Sequence, residues 1–390
     1  MPPIPAYVRA NIFPSPNLSI ASFLRFPFPS QLPKSSIEKN IHLFWSSEKP
    51  NVLEFSTETL QHLPIPSASV LSSLEATAPL FQEKLSMVYA HLPNRQQSYY
   101  PLWILNYWTT VSSLYEHVKH PWIMAESFLS ASSSKWKASP AFRKLSQSAQ
   151  NMLLGLPWAG GVHGFSDNAP TVVLASYLSK DWLSTSHICQ QLDLLRQELV
   201  RVGNQDYIIL GPDFFEKLRC LYEARKENSY PASGGRWIVG VGNDLATLAR
   251  GGIGGVANVK RNHWVTIIVD VHDRKIRYGD SLGGMGTELK TVVRWWIESH
   301  TSSLHFDDES LDISRQSDNF NCSSFSLNGL EHHIFPNAMP LLPNGSSSLM
   351  FCEQDRISRF LNVCKRDLEM VSVFCLYVHF NADADILILL

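Results

Sequence analysis

Nine consecutive residues, His263-Trp264-Val265-Thr266-Ile267-Ile268-Val269-Asp270-Val271, constrain this chain more than any other stretch. Such a run of β-branched and aromatic residues, too short for a buried helix, reads as a strand covered on both faces. His272-Asp273-Arg274-Lys275 is a turn, and Ile276 to Gly279 returns antiparallel. A turn centred between 272 and 275 pairs residues whose numbers sum to 545–547. His263 and Asp280, summing to 543, therefore fall within two ladder positions of each other. Opposed side chains on one face stand about 5 Å apart at Cβ, so an imidazole–carboxylate hydrogen bond is within reach.

The surroundings of this hairpin read as an α+β domain. Thr171 to Tyr177 reads as a short strand. Ser184 or Thr185 can cap a helix bearing Ile188, Leu192, Leu195 and Leu199 on one face, and Pro212 suits the first turn of a second, with Phe215, Leu218 and Leu221 or Tyr222 inward. Glu288 to Ser299 is amphipathic, with Leu289, Val292, Val293, Trp296 and Ile297 on one stripe. Leu311 to Ser314 reads as a short strand, and Ile357, Phe360, Leu361 and Cys364 mark a late helix. Strands and helices alternate without βαβ regularity. Ser233 to Gly255 holds eight glycines in 23 residues. It shares two glycines with a dinucleotide loop but lacks the third glycine and the acidic anchor, so it reads as a flexible insertion that could act as a lid.

Upstream the chain differs. Residues 1–101 hold 14 of the 23 prolines, which predicts irregular structure with short helices. Trp103, Tyr107, Trp108, Val111, Leu114, Tyr115 and Val118 recur at helical spacing, and Pro121 should end or kink that helix. That face is either packed or a partner-binding surface. A glycine- and proline-rich junction at Gly155 to Pro170 divides the chain into a Pro/Ser-rich, partly helical region over 1–160, of unknown role, and a second domain over 161–390.

Composition excludes several classes. With 44% apolar residues the chain can build a core, and a net charge of −2 leaves no basic footprint for nucleic acid. The six cysteines form no C-x-x-C pair, so neither a zinc knuckle nor a disulfide scaffold is expected. Glu331-His332-His333 is no metal pair, since adjacent helical residues point apart; no metal or cofactor is expected. The N-terminus lacks a charged segment followed by an apolar core, and no apolar run reaches the roughly 20 residues that span a bilayer. An intracellular location, nucleus or cytoplasm, without membrane partners, is the expectation.

Chemistry concentrates in Gln316-Ser317-Asp318-Asn319-Phe320-Asn321-Cys322. Phe325, Leu327, Leu330 and Ile334 place Cys322 at the start of a buried helix, where the dipole and a neighbouring imidazolium favour the thiolate. A Cys–His pair is a common arrangement for acyl transfer. The polar loop before Cys322 could bend back to aim the Gln316 amide and the Cys322 N–H at a developing oxyanion.

The segment from about 170 to 370 resembles the SUMO-specific (ubiquitin-like protein) cysteine proteases. It does so through His263-Trp264, Asp280-Ser281-Leu282 with its Asp 17 residues after the His, Gln316 six before Cys322, and Asp181-Trp182-Leu183 upstream. The resemblance implies a papain-like, adenain-like fold with a central mixed sheet flanked by helices. It implies Cys322 as nucleophile, His263 as general base and then acid, Asp280 as its orienting partner and Gln316 as oxyanion donor. Trp182 and Trp264 would flank a tunnel for a Gly-Gly tail; the alternative for Trp182 alone is core packing. The implied partners are a ubiquitin-like modifier, SUMO or similar, and its conjugates. Where the family usually has Asp-Cys-Gly, this chain has Asn321-Cys322-Ser323, which predicts reduced or altered activity. The alternatives are a degenerate protease that holds a ubiquitin-like tail uncut, and an acyltransferase using the same Cys–His site.

Overall fold

A computed structural model describes residues 1–30, 41–52, 55–61, 63–88, 98–226, 251–301, 304–345 and 348–387. The chain falls into two compact units, one of residues 1–124 and 153–160, the other of 125–152 and 161–390. In the first, short helices such as Ala6–Ile12, Ile20–Arg25 and Ala68–Thr77 accompany a three-stranded antiparallel sheet of Trp45–Ser46, Ser86–Val88 and Tyr99–Pro101. Its core gathers Phe44, Trp45, Leu74, Met87, Trp103 and Trp108. The helical repeat that begins at Trp103 forms helix Ile104–Leu114. Pro121 does not end the helical path: a π-helical turn, Tyr115–Lys119, precedes it and locally alters the bonding ladder where the proline lacks an N–H, and helix His120–Lys135 continues.

The second unit is built on a mixed sheet of five strands in chain order: β1 (Tyr207–Leu210), β2 (Gly252–Val259), β3 (His263–Asp270), β4 (Lys275–Gly279) and β5 (Asp307–Ser310). β1–β2 and β4–β5 are parallel, while β2–β3 and β3–β4 are antiparallel. Among the described residues, α1 (Thr185–Arg201), α2 (Pro212–Lys226), α3 (Thr287–His300) and α4 (Cys322–Ile334) pack on this sheet, and α5 (Ser348–Leu387) packs against α1 and α4. The central strand β3 is buried on both faces. Val265, Ile267 and Val269 pack with Phe214, Phe215, Val292 and Trp296 of α2 and α3. Trp264 and Ile268 pack with Ile188 and Leu192 of α1 and with Cys322, Leu327 and Leu330 of α4. This is the α+β arrangement of a mixed sheet flanked by helices that the sequence implied.

Three local expectations change. Thr171–Leu178 is a 3-10 helix and not a strand. It is pinned by His187 Nε2, which donates to Val173 O at 2.8 Å. The edge strand lies at Asp307–Ser310, just before the expected Leu311 to Ser314; Leu311 makes one bond more, N–H to Tyr278 O at 3.0 Å, before the chain leaves the sheet. The glycine-rich stretch lies outside the described residues up to 250, and Gly252 to Gly255 are not insertion but the first half of β2. Close approach explains these glycines. A Cβ on Gly255 would stand 2.6 Å from Leu210 O and 2.7 Å from the Phe215 ring, and one on Gly254 would stand 2.9 Å from Leu330 Cδ1. Among the described residues no helix is long and apolar enough to cross a membrane.

Candidate active site

Four elements converge on Cys322. The first is β3, whose opening residue is His263. A tight turn delivers it: Asn262 N–H bonds Val259 O, and both Lys260 and Arg261 hold positive φ, as a type I′ turn requires. The second is α4, whose first residue is Cys322. It is registered on β3 by two reciprocal bonds. Thr266 Oγ1 donates to Ser326 O at 2.6 Å, and Ser326 Oγ donates to Trp264 O at 2.8 Å. Thr266 stands three residues along β3 from His263, and Ser326 about one helical turn from Cys322. Fixing this pair therefore sets how far the start of α4 lies from the start of β3.

The third element is the turn after β4. Thr266 pairs with Gly279 across the hairpin, so Asp280 emerges beside the start of β3. Its Oδ1 lies 2.7 Å from His263 Nε2 and also accepts Leu282 N–H at 2.8 Å. An ionised carboxylate only accepts, so Nε2–H is the donor and Nδ1 is left free of Asp280, with Cys322 close enough to the ring to act on its charge. Burial opposes the imidazolium, but the bond to Asp280 and the influence of Asp280 and Cys322 on its charge outweigh it, and the His263 pKa is raised to about 9. For Asp280 burial acts upward, yet the bonds from His263 and Leu282 hold it below the usual carboxylate range. Cys322 itself is buried at the positive end of α4.

The fourth element is the loop 311–321. Gln316 is locked at both ends: its Oε1 accepts from Ser281 Oγ and its N–H bonds Ser281 O, while its Nε2 donates to Asp318 O at 2.7 Å. The two tryptophans differ. Trp182 is 49% exposed and bonds through Nε1 to Asn319 O at 2.6 Å, beside the loop that carries the thiol. Trp264 is only 4% exposed, sits in the core with Cys322, and donates to Leu183 O at 2.8 Å. Beside His263 and Asp280 opens a cleft of about 840 Å³, also lined by Glu216, Lys260, Leu282 and Glu288.

Sequence reasoning missed three contributors. Ser281 orients Gln316, and Asp318 caps the loop by accepting the N–H groups of Phe320 and Asn321 at 3.0 and 2.9 Å. Arg356 of α5 reaches Asn321 Oδ1 at 3.3 Å. The short polar residues carried a turn signal, whereas an arginine 34 positions beyond the cysteine gave none.

Residues 181–342 match the model of the Ulp1 protease family, C-terminal catalytic domain. No curated protein matches the chain. Among solved structures, the C-terminal Ulp1 protease domain in complex with Smt3, the yeast ortholog of SUMO, is 15% identical over 58% of this chain and 95% of its own, with a TM-score of 0.42. The Chaetomium thermophilum Ulp1-like SUMO protease catalytic domain is 14% identical over 57% and 89%, with a TM-score of 0.40. The Xanthomonas campestris effector XopD bound to ubiquitin is 16% identical over 46% and 91%, with a TM-score of 0.32.

Proposed function

Because residues 181–342 belong to the Ulp1 protease family, we propose that this chain is a cysteine protease that hydrolyses the peptide or isopeptide bond after the Gly-Gly tail of a ubiquitin-like modifier, SUMO or similar. The observation that carries the reading is the Asp280–His263 hydrogen bond, whose imidazole is acted on by Cys322 at the N-terminus of α4. In this reading His263 takes the thiol proton through Nδ1, and the Cys322 thiolate attacks the terminal glycine carbonyl. The oxyanion is met by the Cys322 N–H and by the Gln316 amide, whose orientation Ser281 fixes. The tetrahedral adduct collapses when the imidazolium returns its proton to the leaving amine, giving a thioester and a free amine. Water, deprotonated by His263, then releases the tail carboxylate and regenerates the thiol.

Specificity for glycine rests on sterics. Trp182 supplies an exposed indole wall beside the loop preceding the nucleophile, and a tail without Cβ atoms passes where other residues would not. A second reading, capture of the tail without cleavage, is motivated by Ser323. It adds a Cβ next to the nucleophile, and its buried Oγ has no hydrogen-bond partner among the described residues.

The test is a panel of vinyl-sulfone or propargyl probes carrying SUMO, NEDD8 and ubiquitin, with Cys322→Ala as control. A covalent adduct with at least one probe, absent in the alanine variant, is expected. Folded protein that forms no adduct with any of them, yet binds one, would leave tail capture as the function.

A further inference from the structure

Position 321 departs from the acidic residue the family usually places before the nucleophile, and its neighbours account for the amide. Asn321 Nδ2 donates to Asp318 Oδ2 at 2.8 Å, while its Oδ1 accepts from Arg356 Nη1 at 3.3 Å. An amide does both at once; an ionised carboxylate only accepts. Asp318 is already committed, since its Oδ1 caps the N–H groups of Phe320 and Asn321 that lead into Cys322. An aspartate in place of Asn321 would set two carboxylates against each other at hydrogen-bond distance, where both cannot stay ionised without cost.

The other side of Asn321 is equally determined. Arg356 is 1% exposed, and its Nε and Nη2 donate to the carbonyls of Tyr177 at 3.2 Å, Ser176, and Asp181 at 2.8 Å. A buried guanidinium is tolerated only when its N–H groups are used, and here every acceptor is neutral. Those carbonyls belong to the segment that ends at Trp182. One guanidinium therefore ties the backbone beside the exposed indole to the residue before the thiol.

We propose that Asn321 is a positioning residue, matched to Asp318 on one side and Arg356 on the other, which holds Cys322 and the Trp182 segment in one register, and that it is not a decayed aspartate. This rests on the reading of Cys322 as nucleophile and is independent of which modifier is cut. It inverts the expectation from the family pattern: restoring the acid should harm the site.

The experiment compares the full chain as wild type, Asn321→Asp, Asp318→Asn and the double swap Asp318→Asn/Asn321→Asp. In the swap, the amide and the carboxylate exchange places. The introduced amide can donate to the introduced carboxylate, which in turn accepts from Arg356, so every side-chain bond along this path is available again. Two rates are read: alkylation of Cys322 by iodoacetamide, followed by mass spectrometry, and labelling by the ubiquitin-like probes. Asn321→Asp should slow both about tenfold or more. The double swap should return both to within about threefold of wild type, the non-additivity expected of residues in direct contact. Thermal melting follows folding in parallel; if Asn321→Asp unfolds, the swap must restore the fold. Asn321→Asp reacting as fast as wild type, or a swap that recovers neither fold nor reactivity, overturns the proposal. Alkylation needs no modifier, so this pattern in a protein that no probe labels would sink the protease reading alone. Probe labelling untouched by Asn321→Asp would sink this one alone.

Discussion

Thr266 Oγ1 donates to the carbonyl of Ser326 at 2.6 Å, and this bond sets where the helix that begins with Cys322 lies along the strand that begins with His263. Both groups are buried, so removing the hydroxyl leaves a desolvated carbonyl with one donor fewer. Thr266→Val keeps the shape of the side chain. It should cost about 1–3 kcal/mol in urea unfolding, and in the protein that remains folded it should slow Cys322-dependent probe labelling. A labelling rate equal to wild type would mean that packing alone holds the register.

The histidine makes the pH dependence asymmetric. A pKa raised from about 6.5 to about 9 means that the His263 contribution to stability is full below the ordinary imidazole value and is lost as pH rises through about 9. Asp280, held below its ordinary value, contributes above the usual carboxylate range and loses its share as pH falls through the depressed one. For activity, the proton that His263 returns to the leaving amine should disappear on an alkaline limb near pH 9. Asp280→Asn removes a principal partner that raises that pKa, so the limb should move to lower pH and kcat should fall by orders of magnitude. Initial rates on the modifier that the probe panel identifies check both statements.

The two tryptophans should respond oppositely to truncation. Trp264→Ala removes a core side chain and should cost about 3–5 kcal/mol, enough to threaten the fold. Trp182→Ala exposes little that was covered, so the melting curve should barely move while KM for the modifier rises strongly. Denaturant titration beside Michaelis kinetics separates them. A Trp182 variant that melts early but keeps its KM would make that residue a packing element.

Glycines in β2 provide a graded test of close approach. Gly255→Ala meets a backbone carbonyl and an aromatic ring, neither of which can swing aside, and should destabilise by about 2–3 kcal/mol. Gly254→Ala meets only the tip of Leu330 and should cost about half as much. Equal effects would show that β2 shifts as a unit.

Some of this architecture could be read from residues alone. The unbroken apolar run of β3, the hairpin register and the stripe on α3 are local signals, and each element lies where its side chains indicated. Spacing put His263, Asp280, Gln316 and Cys322 into one group, and the fold brings all four to the same end of the sheet. What stayed hidden is non-local. β2 reads as a loop because its glycines answer to Leu210, Phe215 and Leu330, which are distant in sequence. Arg356 reads as one more polar residue on an amphipathic helix, since nothing near it in the chain reveals the four acceptors that wait for it.

The placement of Cys322 has a further consequence. Cys322 shares one apolar cluster with Trp264, Leu327 and Leu330, so the start of α4 is constrained by packing whatever the chemistry of the thiol. A descendant that lost its reaction would still be selected to keep a small apolar side chain at this position and the helix behind it. Similarity around the cysteine therefore traces ancestry of the scaffold. Whether a relative still cuts is better judged at His263, Asp280 and Gln316, which the apolar cluster does not hold in place.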